Sequence, residues 1–438
     1  MRQFPTHTPA DGELSTSEPA TVRNWLASHH PKQLAQLDKF EIELRLGRLS
    51  NTNATSVATY SHDPDTIASM PSANDRLLVT LRTVELLKHI IGATRWKNAA
   101  QLLNLLRGLG KDLHEVGGFR EPVIENIVRR VMAAVREEAH PAAATQKGAS
   151  ESTGGRLTLQ SILWALPQHV KSTPNRSDSH NRQESFASEA DLEHYSSELP
   201  PAYYVNRPEL KQTVMEAIQE ILTELEDLHR NINEQATNHI HAGEVILTYG
   251  KSKTIEYFLK AAAAKKRNFQ VVVCEGSPMH GGHEMAKSLA EAGIDTIVIN
   301  DSATFAIMAR VNKVLLSAHA VLANGGLIGS SGANMVALGA FNNAVPVVCI
   351  TGMFKLCPMY PHEGQDTLND LVSPSNVIDF SELGDEKLAA VELINPVHDY
   401  IKPEYISLFV TNVGSFQPSY IYRLLAEYYH TDDWKSFE

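Results

Sequence analysis

The chain has 438 residues, 43% of them hydrophobic and 21% charged, which excludes a disordered or fibrous protein and leaves room for two or three domains. Three cysteines (Cys274, Cys349 and Cys357) are too few for a disulfide framework, and the first residues carry no apolar signal segment; a reducing, cytosolic compartment and no membrane association are expected. The net charge of −12 is lopsided, with 22 basic and 23 acidic side chains in residues 1–200 but 17 and 28 in residues 201–438, so the C-terminal half repels a phosphate backbone and no direct nucleic-acid binding is expected.

Apolar stripes around Trp25, Leu26 and Leu34, and from Phe40 to Leu46, predict one or two helices. Leu77, Leu78, Leu81, Val84, Leu87 and Ile90 recur at three- and four-residue spacing. Trp96, Ala99, Leu102, Leu103 and Leu106 repeat the habit, and Gly108 and Gly110 read as its close. A third helix starts at Pro122, a residue suited to a first turn, and runs through Ile127, Val131 and Val135. Residues 1–138 thus read as an N-terminal helical domain, with Arg129, Arg130 and Arg136 as a basic, solvated helix face or a seat for an acidic partner. Residues 139–198 turn to Ala, Pro, Ser, Thr, Gly, Asn and Gln and read as a disordered insertion, with Leu157 to Val170 as an apolar island within it. Residues 199–240 read as a long connecting helix from Pro208 to Ile240, striped by Val214, Ile218, Ile221 and Leu225.

From residue 241 to 438 the period changes. EVILTYG, FQVVVCEG, IDTIVIN, KVLLSA and PVVCITG alternate with helical segments such as KTIEYFLKAAAA and HEMAKSLAEAG. The pattern predicts an α/β, Rossmann-like, doubly wound and mostly parallel sheet, with strands buried on both faces. Ligands in such sheets sit outside the carboxyl ends of the strands. The groups expected there are Tyr249 to Lys251, Glu275 to Ser277, Asn300 and Asp301, His319, and Asn324 and Gly325. The Asn324-Gly325-Gly326 turn, followed by Ser330 and Ser331 as helix caps, reads as a pocket for an anion such as a sugar phosphate.

Other groups have plainer readings. His280 and His283 in HGGHE match no standard zinc spacing, and Gly281-Gly282 leaves their backbone loose, so no metal is expected. Cys274 and Cys349 read as small core residues. No GxxxxGK[ST] loop is present, and no cofactor is expected.

The segments LLRTVELLKHIIGATRWKNAAQLL, ENIVRRVMAAVREE, GSPMHGGHEMAKSLAEAGI, VLANGGL and NPVHDYIKPEYISLFVTNVGSFQPSYIYRLLAEYYH stand in an order that resembles the alpha/beta/delta regulatory subunits of translation initiation factor 2B. Phe354-Lys355-Leu356 and Pro418 to Arg423 are most similar to the beta members. The resemblance implies a non-catalytic regulatory subunit of the guanine-nucleotide exchange factor for translation initiation factor 2. Its implied partners are the delta, alpha, gamma and epsilon subunits and the substrate factor's alpha subunit, whose phosphorylation it helps to sense. The family shares its fold with sugar-phosphate aldose–ketose isomerases, which supply the alternative reading. Those enzymes place a catalytic cysteine after the first strand and an aspartate before the Asn-Gly turn. Here the two positions fall in Thr248 to Lys251, with no thiol, and on His319, leaving Gly250, His319, Asn324 and Gly325 as a vestigial anion pocket.

The resemblance also implies surfaces. His241, Gly243, Val245, Gln270 and Val272 would line a two-fold subunit interface, with Gly243 and Gln270 replacing the asparagine and histidine of members that accept a small-molecule stabiliser. Tyr405, Phe409, Tyr420 and Tyr422 would pair with the delta subunit. Glu216 and Glu220, on the face opposite the Val214–Ile218–Leu225 stripe, would meet the basic domain of the substrate factor's alpha subunit.

Overall fold

A computed structural model of the chain describes residues 22–45, 76–117, 121–139, 199–361, 371–378 and 391–434. The insertion read over residues 139–198, with its apolar island, lies outside the described residues except for Ala139, which is the last residue of a helix. None of the described helices is long and apolar enough to cross a membrane.

Among the described residues, helices α1 (Val22–His29), α2 (Pro31–Arg45), α3 (Arg76–Ala93), α4 (Ala99–Gly117) and α5 (Pro122–Ala139) form the N-terminal layer. Helix α4 does not stop at Gly108 and Gly110 as the sequence suggested. Leu105, Leu106, Leu109 and Leu113 carry the apolar stripe onward, all fully buried. Burying each leucine is worth about 1.5–3 kcal/mol, which outweighs the ~1 kcal/mol that each glycine costs a helix.

The basic face expected on α5 is a second correction. Arg129 and Arg136 are buried. Arg136 donates Nε and Nη2 to the carboxylate of Asp433 at 2.8 and 2.7 Å. Arg129 pairs with Glu125 at 2.8 Å and donates Nε to the Asp433 carbonyl at 3.2 Å. Arg130 lies over the ring of Tyr428, 4.7 Å from its centroid. These arginines join α5 to the end of the chain and present no basic surface.

The connecting helix is one run in three pieces, α6 (Leu210–Glu226), α7 (Leu228–Glu234) and α8 (Ala236–His239). Asp227 and Gln235, between them, keep right-handed helical backbone. The Gln235 N–H reaches back only three residues, to Ile232, which tightens the ladder there.

Among the described residues ten strands follow: β1 (Val245–Tyr249), β2 (Gln270–Cys274), β3 (Asp295–Ile299), β4 (Lys313–Ser317), β5 (Ala320–Val321), β6 (Leu327–Ser330), β7 (Val347–Ile350), β8 (His398–Ile401), β9 (Leu408–Val410) and β10 (Ser415–Phe416). Seven form one sheet in the order β10-β9-β7-β4-β1-β2-β3, parallel except for β10. Alternation divides its side chains. Ile246, Val271, Val273, Leu315 and Val348 share one apolar cluster with the N-terminal layer and with α9 (Lys253–Ala264) and α10 (Gly281–Glu291). Leu247, Val272, Val314, Leu316 and Cys349 join a second cluster that includes residues of α12 (Ala333–Asn342) and α13 (Ile421–Tyr428). A short α11 (Thr304–Ile307) follows β3. Edge strand β3 departs from the expectation of strands buried on both faces, since Ile297 and Val298 are exposed.

The remaining strands make a small antiparallel sheet, β5-β6-β8. This corrects the reading of the glycine-rich turn. Asn324-Gly325-Gly326 is the tip of the β5–β6 hairpin, and β6 separates it from α12. Gly325 has φ +81°, and a Cβ there would overlap the Pro418 carbonyl, so the turn is shaped by packing on the C-terminal segment. Helix α12 is preceded by Gly332 at φ +94°, with no side-chain cap from Ser330 or Ser331.

Candidate functional site: the crevice at the carboxyl ends of the strands

Strands β1, β2 and β3 end side by side, delivering Tyr249 and Gly250, Glu275 and Gly276, and Asn300 and Asp301 to one rim. Tyr249 crosses the opening, donating its hydroxyl to the Ser331 carbonyl at 2.6 Å. Gly332 must lack a side chain, because a Cβ would overlap the Tyr249 hydroxyl. Burial, then the nearby carboxylates of Asp301 and Asp399, hold the Tyr249 phenol well above the usual tyrosine range, so it stays a neutral donor.

Both carboxylates are already committed. Asp301 accepts from the Gly276 and Ser277 N–H groups at 3.0 and 2.7 Å. Asp399, on β8, accepts from the Gly332 and Asn334 N–H groups at the start of α12, at 2.6 and 3.2 Å. A helix N-terminus is an anion seat, and here the chain's own carboxylate occupies it. Asp399 lies 67 residues from Gly332, and no local sequence signal joins them.

No thiolate is poised nearby. Burial pushes the Cys274 thiol up to about 11, and its sulfur lies 3.4 Å from the Thr304 hydroxyl. Cys349 and Cys357 are fully buried, and burial pushes their thiols up to about 12 and about 11. Lys251, the cation beside Gly250, is paired with Glu284.

Two of the four residues read as one vestigial pocket, Asn324 and Gly325, lie at the far tip of a hairpin. Gly250, at φ +59°, packs on Gly276 at the ends of β1 and β2. His319, buried, sits at the open end of the β5–β6 hairpin, its ring centroid 4.1 Å from that of His398. Asn324 and Gly325 form the hairpin's far tip, where Asn324 donates its side-chain amide to the Tyr400 hydroxyl at 2.8 Å. The hairpin holds Asn324 and Gly325 away from His319, whereas Gly250 and His319 follow the neighbouring parallel strands β1 and β4.

The surface residues fall as follows. His241, Gly243, Val245 and Gln270 lie together on the N-terminal rim of the sheet. Val245 is in register with Gln270, and Gly243 donates to the Asn268 carbonyl at 2.7 Å. Val272 is instead a core residue, because β2 turns it into the α12–α13 face. Phe409 is likewise core and offers no surface. Tyr422 is 53% exposed, while Tyr405 and Tyr420 are partly buried against Phe341 and Phe416. Glu216 and Glu220 are exposed on α6. Sequence reasoning missed an exposed apolar stripe on α12, formed by Met335, Leu338 and Phe341, whose three-residue spacing was the available signal.

Comparison with known proteins places these features in a family. The profile of the initiation factor 2 subunit family matches residues 77–418. "Translation initiation factor eIF2B subunit beta" of Dictyostelium discoideum is 39% identical over 358 residues, covering 81% of this chain and 91% of that protein. "Ribose 1,5-bisphosphate isomerase" of Haloferax volcanii is 30% identical over 220 residues, covering 50% of this chain and 67% of the enzyme. A chain of the crystallised tetrameric eIF2B-beta2-delta2 complex from C. thermophilum superposes with a TM-score of 0.58 at 23% identity, covering 94% of this chain and 100% of that one, a likeness of fold.

Proposed function

This chain belongs to the initiation factor 2 subunit family, and we propose that it acts there as a non-catalytic regulatory subunit of the guanine-nucleotide exchange factor for translation initiation factor 2. The observation that carries the non-catalytic part is the state of the crevice. Moving a proton between neighbouring sugar carbons needs an acid and a base within reach of the substrate. The thiol at the end of β2 is held protonated, and Asp301 and Asp399 are each tied to two backbone N–H groups. With the N-terminus of α12 filled by Asp399, a phosphate dianion would displace a carboxylate and sit beside another. The alternative, an aldose–ketose isomerase, draws on the similarity to the archaeal enzyme over half the chain. Purified chain incubated with ribose 1,5-bisphosphate should give no ketose product above a protein-free control. Turnover lost in Asp399→Asn and Asp301→Asn would establish the isomerase instead.

The regulatory part rests on surfaces. The Met335–Leu338–Phe341 stripe, continued by Phe305 beside Gly339 and by Tyr405 beside Phe341, is the kind of exposed apolar patch that a partner subunit covers. We assign it, with Tyr420 and Tyr422, to pairing with a delta-type subunit, and the N-terminal rim of the sheet to the two-fold contact between such pairs. The acidic face of α6 at Glu216 and Glu220 is assigned to the basic domain of the substrate factor's alpha subunit, where it contributes to sensing phosphorylation.

A further inference from the structure

We propose that Glu275, His280 and His283 form a binding site for a late first-row divalent cation, of which zinc is the most available. In sequence the two histidines have no third ligand at a standard spacing, and Gly281-Gly282 reads as loose backbone. The structure reverses both points. A Cβ at Gly282 would overlap the carbonyl of Cys274 and crowd Glu275, so this glycine is where the start of α10 is pressed against the end of β2. Its N–H donates to the Glu275 carbonyl at 2.9 Å. The contact carries both imidazoles onto the Glu275 side chain, which the strand end would otherwise present alone.

The three donors converge. His280 Nδ1 and His283 Nε2 lie 3.6 and 3.7 Å from the same oxygen of Glu275, and all three donor atoms are within 4.8 Å of one another. Those separations exceed a good hydrogen bond. The two His–Glu275 separations approach the ~3.3–3.6 Å edges of a tetrahedron built on metal–ligand bonds of about 2.0–2.2 Å. The two rings stack at 5.4 Å with an interplanar angle of 16°, so binding one ion requires each exposed imidazole to turn about its side-chain bonds.

The backbone is set before any ion arrives. His280 holds left-handed backbone at φ 51°, with its N–H donating to the Gly276 carbonyl at 2.8 Å. Asp301 fixes the loop's other end through Gly276 and Ser277. A non-glycine residue held in that region is a recurrent mark of functional loops. Two imidazoles and one carboxylate on one side, with both histidines exposed, leave the remaining coordination positions to water or to a partner's ligand. That donor set selects zinc, cobalt, nickel or copper over magnesium and calcium.

The test is a titration of the untagged, chelator-stripped full chain with Co²⁺, followed by visible d–d absorption, and with Zn²⁺ by calorimetry. One ion per chain is expected, weakening in acid as the ligands protonate. Glu275→Gln and His283→Ala should each lower affinity at least about tenfold, while His89→Ala, at an exposed position on α3, leaves it unchanged. His283 is exposed, and circular dichroism identifies any variant that fails to fold. If one does, a Zn²⁺-dependent rise in Tm in the wild type but not in His280→Gln supports the site equally. Absence of saturable Co²⁺ binding to the wild type up to millimolar concentration overturns the proposal. Equal binding by the wild type and the folded variants overturns it as well.

Discussion

Asp399 shows how a single side chain decides what the crevice can do. By accepting from Gly332 and Asn334 it satisfies N–H groups that begin α12 and fills the position an anionic ligand would take. Asp399→Ala should lower stability by about 1–2 kcal/mol, as loss of a capping carboxylate does, read as a shift in the urea midpoint at constant slope. The thiols make a second test at this scale. The thiolate is the reactive form, and Cys274, Cys349 and Cys357 are buried with their thiols pushed up to about 11, 12 and 11. Native protein at pH 8 should therefore react slowly with a disulfide reagent at all three positions, and denatured protein rapidly. Fast stoichiometric labelling of Cys274 in the native chain would show a poised thiolate. The absence of a cysteine between Thr248 and Lys251 was plain in the sequence. The commitment of Asp301 and Asp399 was not, because the hydrogen bonds that fix their roles join residues 24 to 67 positions apart.

At the scale of elements, the C-terminal segment is part of the core. Ile421, Leu424, Leu425 and Tyr429 fill the second core, Tyr429 donates to the Leu356 carbonyl at 2.9 Å, and Asp433 is fully buried against Arg136. Deleting Pro418 to Glu438, which carries Tyr420 and Tyr422, would be a blunt test of pairing with a delta-type subunit. The structure shows that the deletion removes core, so loss of pairing would follow from unfolding. A sharper change is Asp433→Ala, which leaves the buried guanidinium of Arg136 with only the half-exposed Asp432 carboxylate at 3.5 Å and should cost about 3 kcal/mol. Glu220→Lys on α6 tests another element. If the acidic face meets the substrate factor's alpha subunit, exchange should slow, more so at low salt, because charge complementarity acts on encounter. An unchanged rate across a salt series, with the complex intact, would leave Glu220 a solvated residue. The main-sheet strands β1, β2, β3, β4 and β7 were legible because continuous apolar runs of strand length have few alternatives. The β5–β6 hairpin was not, since Ala320–Val321 is two residues long and its tip mimics a phosphate loop. Gly108 and Gly110 misled because helix termination is local, whereas the burial that overrides it is tertiary.

Across the whole molecule, the N-terminal helices and one sheet face share an apolar cluster, while the opposite side leaves Met335, Leu338 and Phe341 exposed. Core and surface make different demands on substitution. Leu338→Glu and Phe341→Glu should leave the fold and its Tm nearly unchanged, as exposed positions allow. They should also weaken co-purification with a delta-type subunit by an order of magnitude or more, because charge at the centre of an apolar contact is costly. Whether this chain regulates exchange without catalysing it is decided by GDP release from translation initiation factor 2. The measurement uses the exchange complex reconstituted with and without this chain, on substrate that is unphosphorylated or phosphorylated on its alpha subunit. Phosphorylated substrate should inhibit the complete complex, and omitting the chain should abolish that inhibition while basal exchange is retained. Equal inhibition in its absence would contradict a regulatory role.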